Sequence, residues 1–253
     1  MGGRALRRAL VTLVAAVAGA VWLSGSGEPV TARPFSPWQE LAAPPLSPRT
    51  HALGLHVGPR VVVLGGRHRG SLRDGAAYDL RTGRWRAVAT PVAITDRDTA
   101  VVAAGVAVIR HLRTDRAPSW WRYDVRNDVW ERMEDVPPHA SVPSAYRSEV
   151  YAVAAGHVVV YSVQLGRWTA LRADPLRPRL HHPWVRASRS GTVVSGYVAG
   201  RKGPVADRWD GRRWRRLASA AARPVVPRRA ATEIAVGGRL VVVRRGRAWI
   251  HTP

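Results

Sequence analysis

The sequence predicts an all-β fold built from a repeated four-stranded unit, on three observations. First, an aromatic frame recurs at Tyr78–Trp85, Tyr123–Trp130 and Tyr161–Trp168, with a shorter copy at Trp209–Trp214. Its closing tryptophans, with Trp38 ahead of them, return about every 45 residues, the period of a repeat architecture. Second, short Val-, Ala- and Tyr-rich runs alternate with Gly, Pro, Arg and Asp, which is the pattern of strands and turns. Third, the two ends of the repeated region complement each other. The last repeat offers Thr232–Val236, Arg239–Val243 and Arg247–Ile250 and lacks a fourth strand, while Trp38–Leu41 reads as a fourth strand with nothing before it. Four antiparallel strands per unit make a propeller blade, and a radial array of blades leaves only short, protected edges.

Taken in order, residues 1–32 precede any repeat. Arg4, Arg7 and Arg8 lead into the uncharged apolar run Ala9–Leu23, which is shorter than the roughly 20 residues of a membrane span. Val30-Thr31-Ala32 supplies a small-residue cleavage site, so this segment is expected to be a signal peptide or an N-terminal membrane anchor. Arg7-Arg8 also fits a twin-arginine signal. Residues 33–253 are then expected to form one propeller domain. In its first blade Ala52–Val57, Arg60–Leu64, Ala76–Leu80 and Trp85–Val88 read as four successive strands. The frame's aromatic and its Trp are expected to pack between neighbouring blades around a tight polar turn. About five blades follow, closed by the N-terminal strand completing the C-terminal blade. A closed ring predicts a monomer; a partial ring completed by another chain is the alternative.

The order Pro48-Arg49-Thr50-His51-Ala52, then Val61-Val62-Val63-Leu64-Gly65-Gly66, then Tyr78–Trp85 resembles a kelch repeat. Pro178-Arg179-Leu180-His181 and Pro227-Arg228-Arg229-Ala230 keep the opening, while the double glycine survives only at Gly65-Gly66. The resemblance, to propellers of the galactose oxidase and kelch type, covers residues 36 to 253. Galactose oxidase carries a copper–radical cofactor that needs a Cys bonded to a Tyr, and this chain has no cysteine, so no cofactor is expected. Lack of cysteine also excludes disulfides and a lipid-modified Cys anchor, leaving packing alone to hold the domain.

Net charge is +23, carried almost wholly by arginine, since Lys202 is the only lysine. With abundant Ala, Gly, Pro and Val, part of this excess reflects a GC-rich coding composition. What remains is a field that attracts polyanions. In a propeller the loops joining strands two and three share one face with the strand-one openings. Those loops carry Arg67, Arg69, Arg73, Arg110, Arg113, Arg116, Arg201 and Arg245, and the openings carry Arg49, Arg97, Arg179 and Arg228. The expected ligand site is therefore Arg49, Arg97, Arg179 and Arg228 around a channel mouth, with Arg69, Arg113, Arg201 and Arg245 above it. Guanidinium forks suit carboxylate and phosphate. The opposite face also holds Arg81, Arg84, Arg167, Arg212 and Arg213, so basic loops are not confined to one side.

Catalysis finds less support. The sialidase Asp box needs an Asp two residues before its Gly, and Asp210-Gly211 is adjacent. A glycoside hydrolase needs two carboxylates flanking the bond, and Asp96, Asp98 and Glu233 are the candidates, each more simply read as an ion-pair partner. His181-His182 alternate across a strand and cannot easily share a metal, so no metal is expected. Trp120, Trp121 and Trp184 lie outside the frame and could stack on sugars or bases. The expectation is thus an exported binding module, secreted or extracytoplasmic and anchored by residues 9–23 if uncleaved. Its partner is an acidic polysaccharide, a cell-wall polymer or a protein; export sets nucleic acid aside. The alternatives are a carbohydrate-active enzyme of glycoside hydrolase type and a scaffold using the flat faces of the ring.

Overall fold

The computed structural model describes residues 38–95, 97–112, 117–171, 180–201, 203–217, 232–236, 239–244 and 247–251, with backbone alone for 232–236, 240 and 244. The segment 1–32 lies outside them. Among the described residues twenty strands form five four-stranded antiparallel sheets, a β-propeller-like all-β architecture. Sheet I holds β2 (Leu53–Val57), β3 (Arg60–Leu64), β4 (Leu72–Asp79) and β5 (Arg84–Ile94). Sheet II holds β6 (Thr99–Ala103), β7 (Val106–His111), β8 (Ser119–Asp124) and β9 (Val129–Met133). Sheet III holds β10 (Ser144–Tyr146), β11 (Glu149–Ala154), β12 (His157–Ser162) and β13 (Arg167–Ala170). Sheet IV holds β14 (Leu180–Ser188), β15 (Gly191–Val198), β16 (Pro204–Trp209) and β17 (Trp214–Arg216).

Sheet V joins the two ends of the domain. β18 (Thr232–Val236), β19 (Arg239–Arg244) and β20 (Arg247–His251) are completed by β1 (Trp38–Glu40), which pairs with β20 through Trp38↔His251 and Glu40↔Trp249. Arg247 clamps Glu40 with bonds of 2.6 and 2.8 Å, and Leu41 N–H donates to Ala248 O at 2.9 Å. The first strands lie side by side, β18 against β2, β2 against β6, β6 against β10 and β10 against β14.

Two strands run further than the sequence suggests. β4 starts at Leu72 and β5 continues through Pro91 to Ile94, because Leu72 pairs with Ile94 beyond a bulge. β5 is an outer strand, where a proline costs no ladder hydrogen bond.

The strand-two runs of sheets I, II and III are apolar at consecutive positions because both faces of those sheets are covered. In β3, Val62 and Leu64 enter a cluster with Ala107, Ile109 and Tyr123 of sheet II, while Val61 and Val63 enter one with Val241 and Val243 of sheet V. A cluster likewise joins sheets II and III, through Val108, Trp120 and Val159, and another joins III and IV, through Val153, Val185 and Val194. Burying each such side chain stabilises by about 1.5–3 kcal/mol.

The repeated frame has a definite geometry. Tyr78 and Trp85, Tyr123 and Trp130, Tyr161 and Trp168, and Trp209 and Trp214 are cross-strand partners with ring centroids 4.9, 4.2, 5.3 and 5.5 Å apart. Each Trp reaches the preceding sheet: Trp130 joins the sheet I–II cluster, Trp168 the II–III cluster, Trp214 the III–IV cluster and Trp85 the V–I cluster. Between the pair, the Asp makes the turn. Asp79, Asp124 and Asp210 each accept two backbone N–H groups at 2.9–3.4 Å, and Ser162 accepts one from Leu165. Those donors hold the Asp79 and Asp210 carboxyls below their ordinary range.

Candidate functional site

The strand-one openings and the strand-two-to-three loops do meet at one end of the sheets. Thr50, at the opening of sheet I, exchanges backbone bonds of 3.1 and 2.8 Å with Arg67 in the β3–β4 loop. Gly65-Gly66 permits this approach. Gly65 has φ +58° and a Cβ there would lie 2.5 Å from Ile94, while Gly66 has φ +100° and its Cβ would lie 2.7 Å from Thr50 O. Only glycine tolerates both the backbone conformation and the contact.

On this face the arginines divide into two kinds. Arg49 is spent inside the protein: its side chain is 4% exposed and forks onto Asp74 at 3.0 and 2.8 Å. It also donates to Gly65 O, Ser47 O and Ser47 Oγ, so all five guanidinium N–H groups are used. The same fork holds the Asp74 carboxyl below its ordinary range. Arg110 is drawn in as well, donating to Ala140 O at 2.9 Å across the II–III boundary, and burial lowers its pKa. In contrast Arg67, Arg69, Arg73, Arg97 and Arg201 are exposed and their guanidinium groups make no hydrogen bond or ion pair among the described residues. Arg113, Arg179, Arg228 and Arg245 lie outside the described residues.

The candidate acids are placed as follows. Asp98 is fully buried; its oxygens accept from Thr95 N at 2.5 Å, Thr95 Oγ1 at 3.2 Å, Leu112 N at 2.7 Å and face His111 Nδ1 at 3.0 Å. It ties the β5–β6 connection to the end of β7 and turns away from solvent. Asp96 lies outside the described residues, as does the side chain of Glu233, whose backbone sits in β18. Most other described carboxylates are held too: Asp128 by Arg86 and Tyr123, Glu131 by Arg122, Glu149 by Tyr151, and Asp207 by Arg216. Among the described residues no group of three His, Cys, Asp or Glu could hold a metal ion.

The extra tryptophans differ from one another. Trp120 is buried in the II–III cluster and Trp121 packs against the I–II cluster, donating to Ser119 Oγ at 3.2 Å. A pocket of ≈ 210 Å³ at the outer edge of sheet II is lined by Ser119, Trp120, Arg132 and Glu134 among others. Trp184 instead meets Tyr197 edge-on at 5.8 Å, and Tyr197 is 44% exposed. Sequence reasoning passed over Asp74, the partner that draws Arg49 inside, because their approach becomes readable only once the register of β3 and β4 is known.

No family model matches the chain, and no curated protein matches it. Among solved structures it is similar to one described as "Structure of YjhT", with 13% identity, 84% of this chain and 82% of that one covered, and a TM-score of 0.46. At that level the likeness assigns neither a family nor an activity.

Proposed function

We propose that this chain is an extracytoplasmic binding module, a five-sheet kelch-like propeller closed into a ring, that takes an acidic polymer on the face carrying the strand-two-to-three loops. The observation that carries the reading is the division of arginines there. Arg67, Arg69, Arg73, Arg97 and Arg201 are exposed without internal partners, while the neighbouring carboxylates Asp74 and Asp98 are already engaged. An array of unpaired guanidinium groups attracts and forks onto carboxylate or phosphate. The kelch-like order of the first repeat and the β1–β20 pairing support the propeller form, and the basic, then apolar N-terminus supports export.

The test compares two faces at equal net charge. Arg67→Glu, Arg69→Glu and Arg201→Glu together should weaken binding to polygalacturonate at least tenfold. Arg84→Glu, Arg167→Glu and Arg212→Glu, exposed at the strand-three-to-four turns of the other face, should change it about twofold. Equal losses from the two triple variants would show generic charge and sink the reading.

A further inference from the structure

The end of the sheets opposite the strand-two-to-three loops has a composition of its own. In sheets I–IV the hairpin between strands one and two and the turn between strands three and four share that end, because the strands are antiparallel in sequence order. Hydrogen bonds join it from sheet to sheet. Arg60, at the start of β3, donates to Val125 O in the β8–β9 turn at 3.0 Å. Ala104 N–H, in the β6–β7 hairpin, donates to Arg147 O in the β10–β11 hairpin at 3.0 Å. The turn ends of sheets I, II and III therefore make one continuous surface.

Arg84, Arg126, Arg147, Arg167, Arg189 and Arg212 are exposed on this end, and their guanidinium groups make no hydrogen bond or ion pair among the described residues. The acids beside them are engaged. Asp79 pairs with Arg60 and Arg81, Asp128 with Arg86, and Asp210 with Arg215. Asp124 accepts from Arg126 N, Asn127 N and Asn127 Nδ2. The unpaired arginines are left outermost, and such a surface attracts anions.

Charge alone does not choose the partner, since the other face is basic too. Two further observations do. The first is a pair of apolar residues at the turns. In the repeated frame Leu165 stands where Thr82 and Asn127 stand, and Val129 where Arg84 and Arg167 stand. They are the most exposed large apolar side chains among the described residues, at 66% and 56%. Aliphatic groups thus project among guanidinium groups. The second is the place where the chain enters the domain. β1 begins at this end, because Trp38 pairs with His251 at the close of β20, while the start of β20 pairs with Arg244 at the other end. Residues 24–37 separate Trp38 from the apolar run Ala9–Leu23 and reach about 50 Å at full extension. An apolar run held in a bilayer tethers the domain by this end.

We propose that this end docks on an anionic phospholipid surface. The guanidinium groups fork onto headgroup phosphates, and Leu165 and Val129 enter the boundary between headgroups and acyl chains. A second copy of the chain would bring like charge against the same surface, which disfavours it as the occupant. The inference goes beyond the acidic-polymer reading and does not rest on it. Docking by this end leaves Arg67, Arg69 and Arg201 facing away from the lipid.

The test uses the absence of cysteine from the chain. Leu165→Cys, with Val142→Cys as control, carries an environment-sensitive fluorophore on the full chain. Val142 is 48% exposed in the β9–β10 connection at the other end, where Ser141 N–H donates to Val153 O at 2.8 Å. With vesicles of phosphatidylglycerol in phosphatidylcholine, emission from position 165 should shift to the blue and emission from position 142 should not. Phosphatidylcholine alone should move neither. Insertion of the N-terminal run by itself leaves both labels in water, so position 165 reads this surface and not the tether. Arg84→Glu, Arg167→Glu and Arg212→Glu together should raise the anionic lipid needed for half the shift at least about tenfold; Arg67→Glu, Arg69→Glu and Arg201→Glu should change it about twofold. No shift at position 165, equal shifts at the two positions, or equal effects of the two triple variants would overturn the lipid face. So would a loss of polygalacturonate binding in the first triple variant as large as its loss of lipid response, which would make this end a general polyanion surface.

Discussion

At the scale of single residues, the arginines show how one residue type serves two ends. Arg49 looks in sequence like any other basic opening, yet its guanidinium is surrounded by Asp74, Gly65 O and Ser47. Breaking a buried ion pair costs several kcal/mol, and less when one partner is half-exposed as Asp74 is. Arg49→Ala should therefore cost about 2 kcal/mol of stability and leave polyanion binding unchanged, read by urea unfolding beside a binding titration. The pair also has a pH signature. Because the folded pKa of Asp74 lies below its unfolded value near 3.9, the pair's contribution is present above that pH and lost as pH falls through the folded value. Asp74→Asn should remove that acid-side loss; an unchanged acid limb would mean the fork contributes nothing. Tyr123 behaves oppositely. Burial, reinforced by the bond to Asp128, raises its pKa, so its contribution persists below about pH 10 and fades above. None of this was legible beforehand, since sequence records that Arg49 and Asp74 are charged but not that a double-glycine loop brings them together.

At the scale of elements, the frame was legible because it is local. Aromatic, Asp, turn and Trp sit within one hairpin, so spacing alone predicts the pairing and the Asx-type turn. The side to which each Trp turns was not legible, because that depends on the sheet before it. The structure implies an order of energies. Trp130 stacks on Tyr123 at 4.2 Å and packs against the sheet I–II cluster, whereas Trp38 is 39% exposed. Trp130→Ala should cost about 3–5 kcal/mol, and Trp38→Ala about 1 kcal/mol, given its partial exposure. Equal losses in denaturant unfolding would refute the view that a frame tryptophan contributes in proportion to its burial.

At the scale of the whole molecule, five sheets and the pairing of the two ends could be expected from period and from leftover strands. Which apolar residues meet across each boundary could not, since that depends on the pairing of non-adjacent segments. The β1–β20 pairing gives a direct test, because the chain has no native cysteine to interfere. Trp38→Cys with His251→Cys should form an intramolecular disulfide that stabilises by up to about 4 kcal/mol through the long loop it closes. A covalent dimer instead would mean that the last sheet is completed between chains. The functional claim, that a built site and not bulk charge binds the acidic polymer, rests on a different quantity, the response to salt. The most direct measurement is the affinity of the full chain for polygalacturonate, polyphosphate and duplex DNA from low to half-molar salt. Bulk attraction is screened within a Debye length of about 4–10 Å over that range, whereas forked guanidinium contacts to carboxylate persist. The proposed site predicts that polygalacturonate binding survives at the high-salt end while the other two are lost. Parallel loss of all three would contradict it and leave the arginines as a generic basic coat.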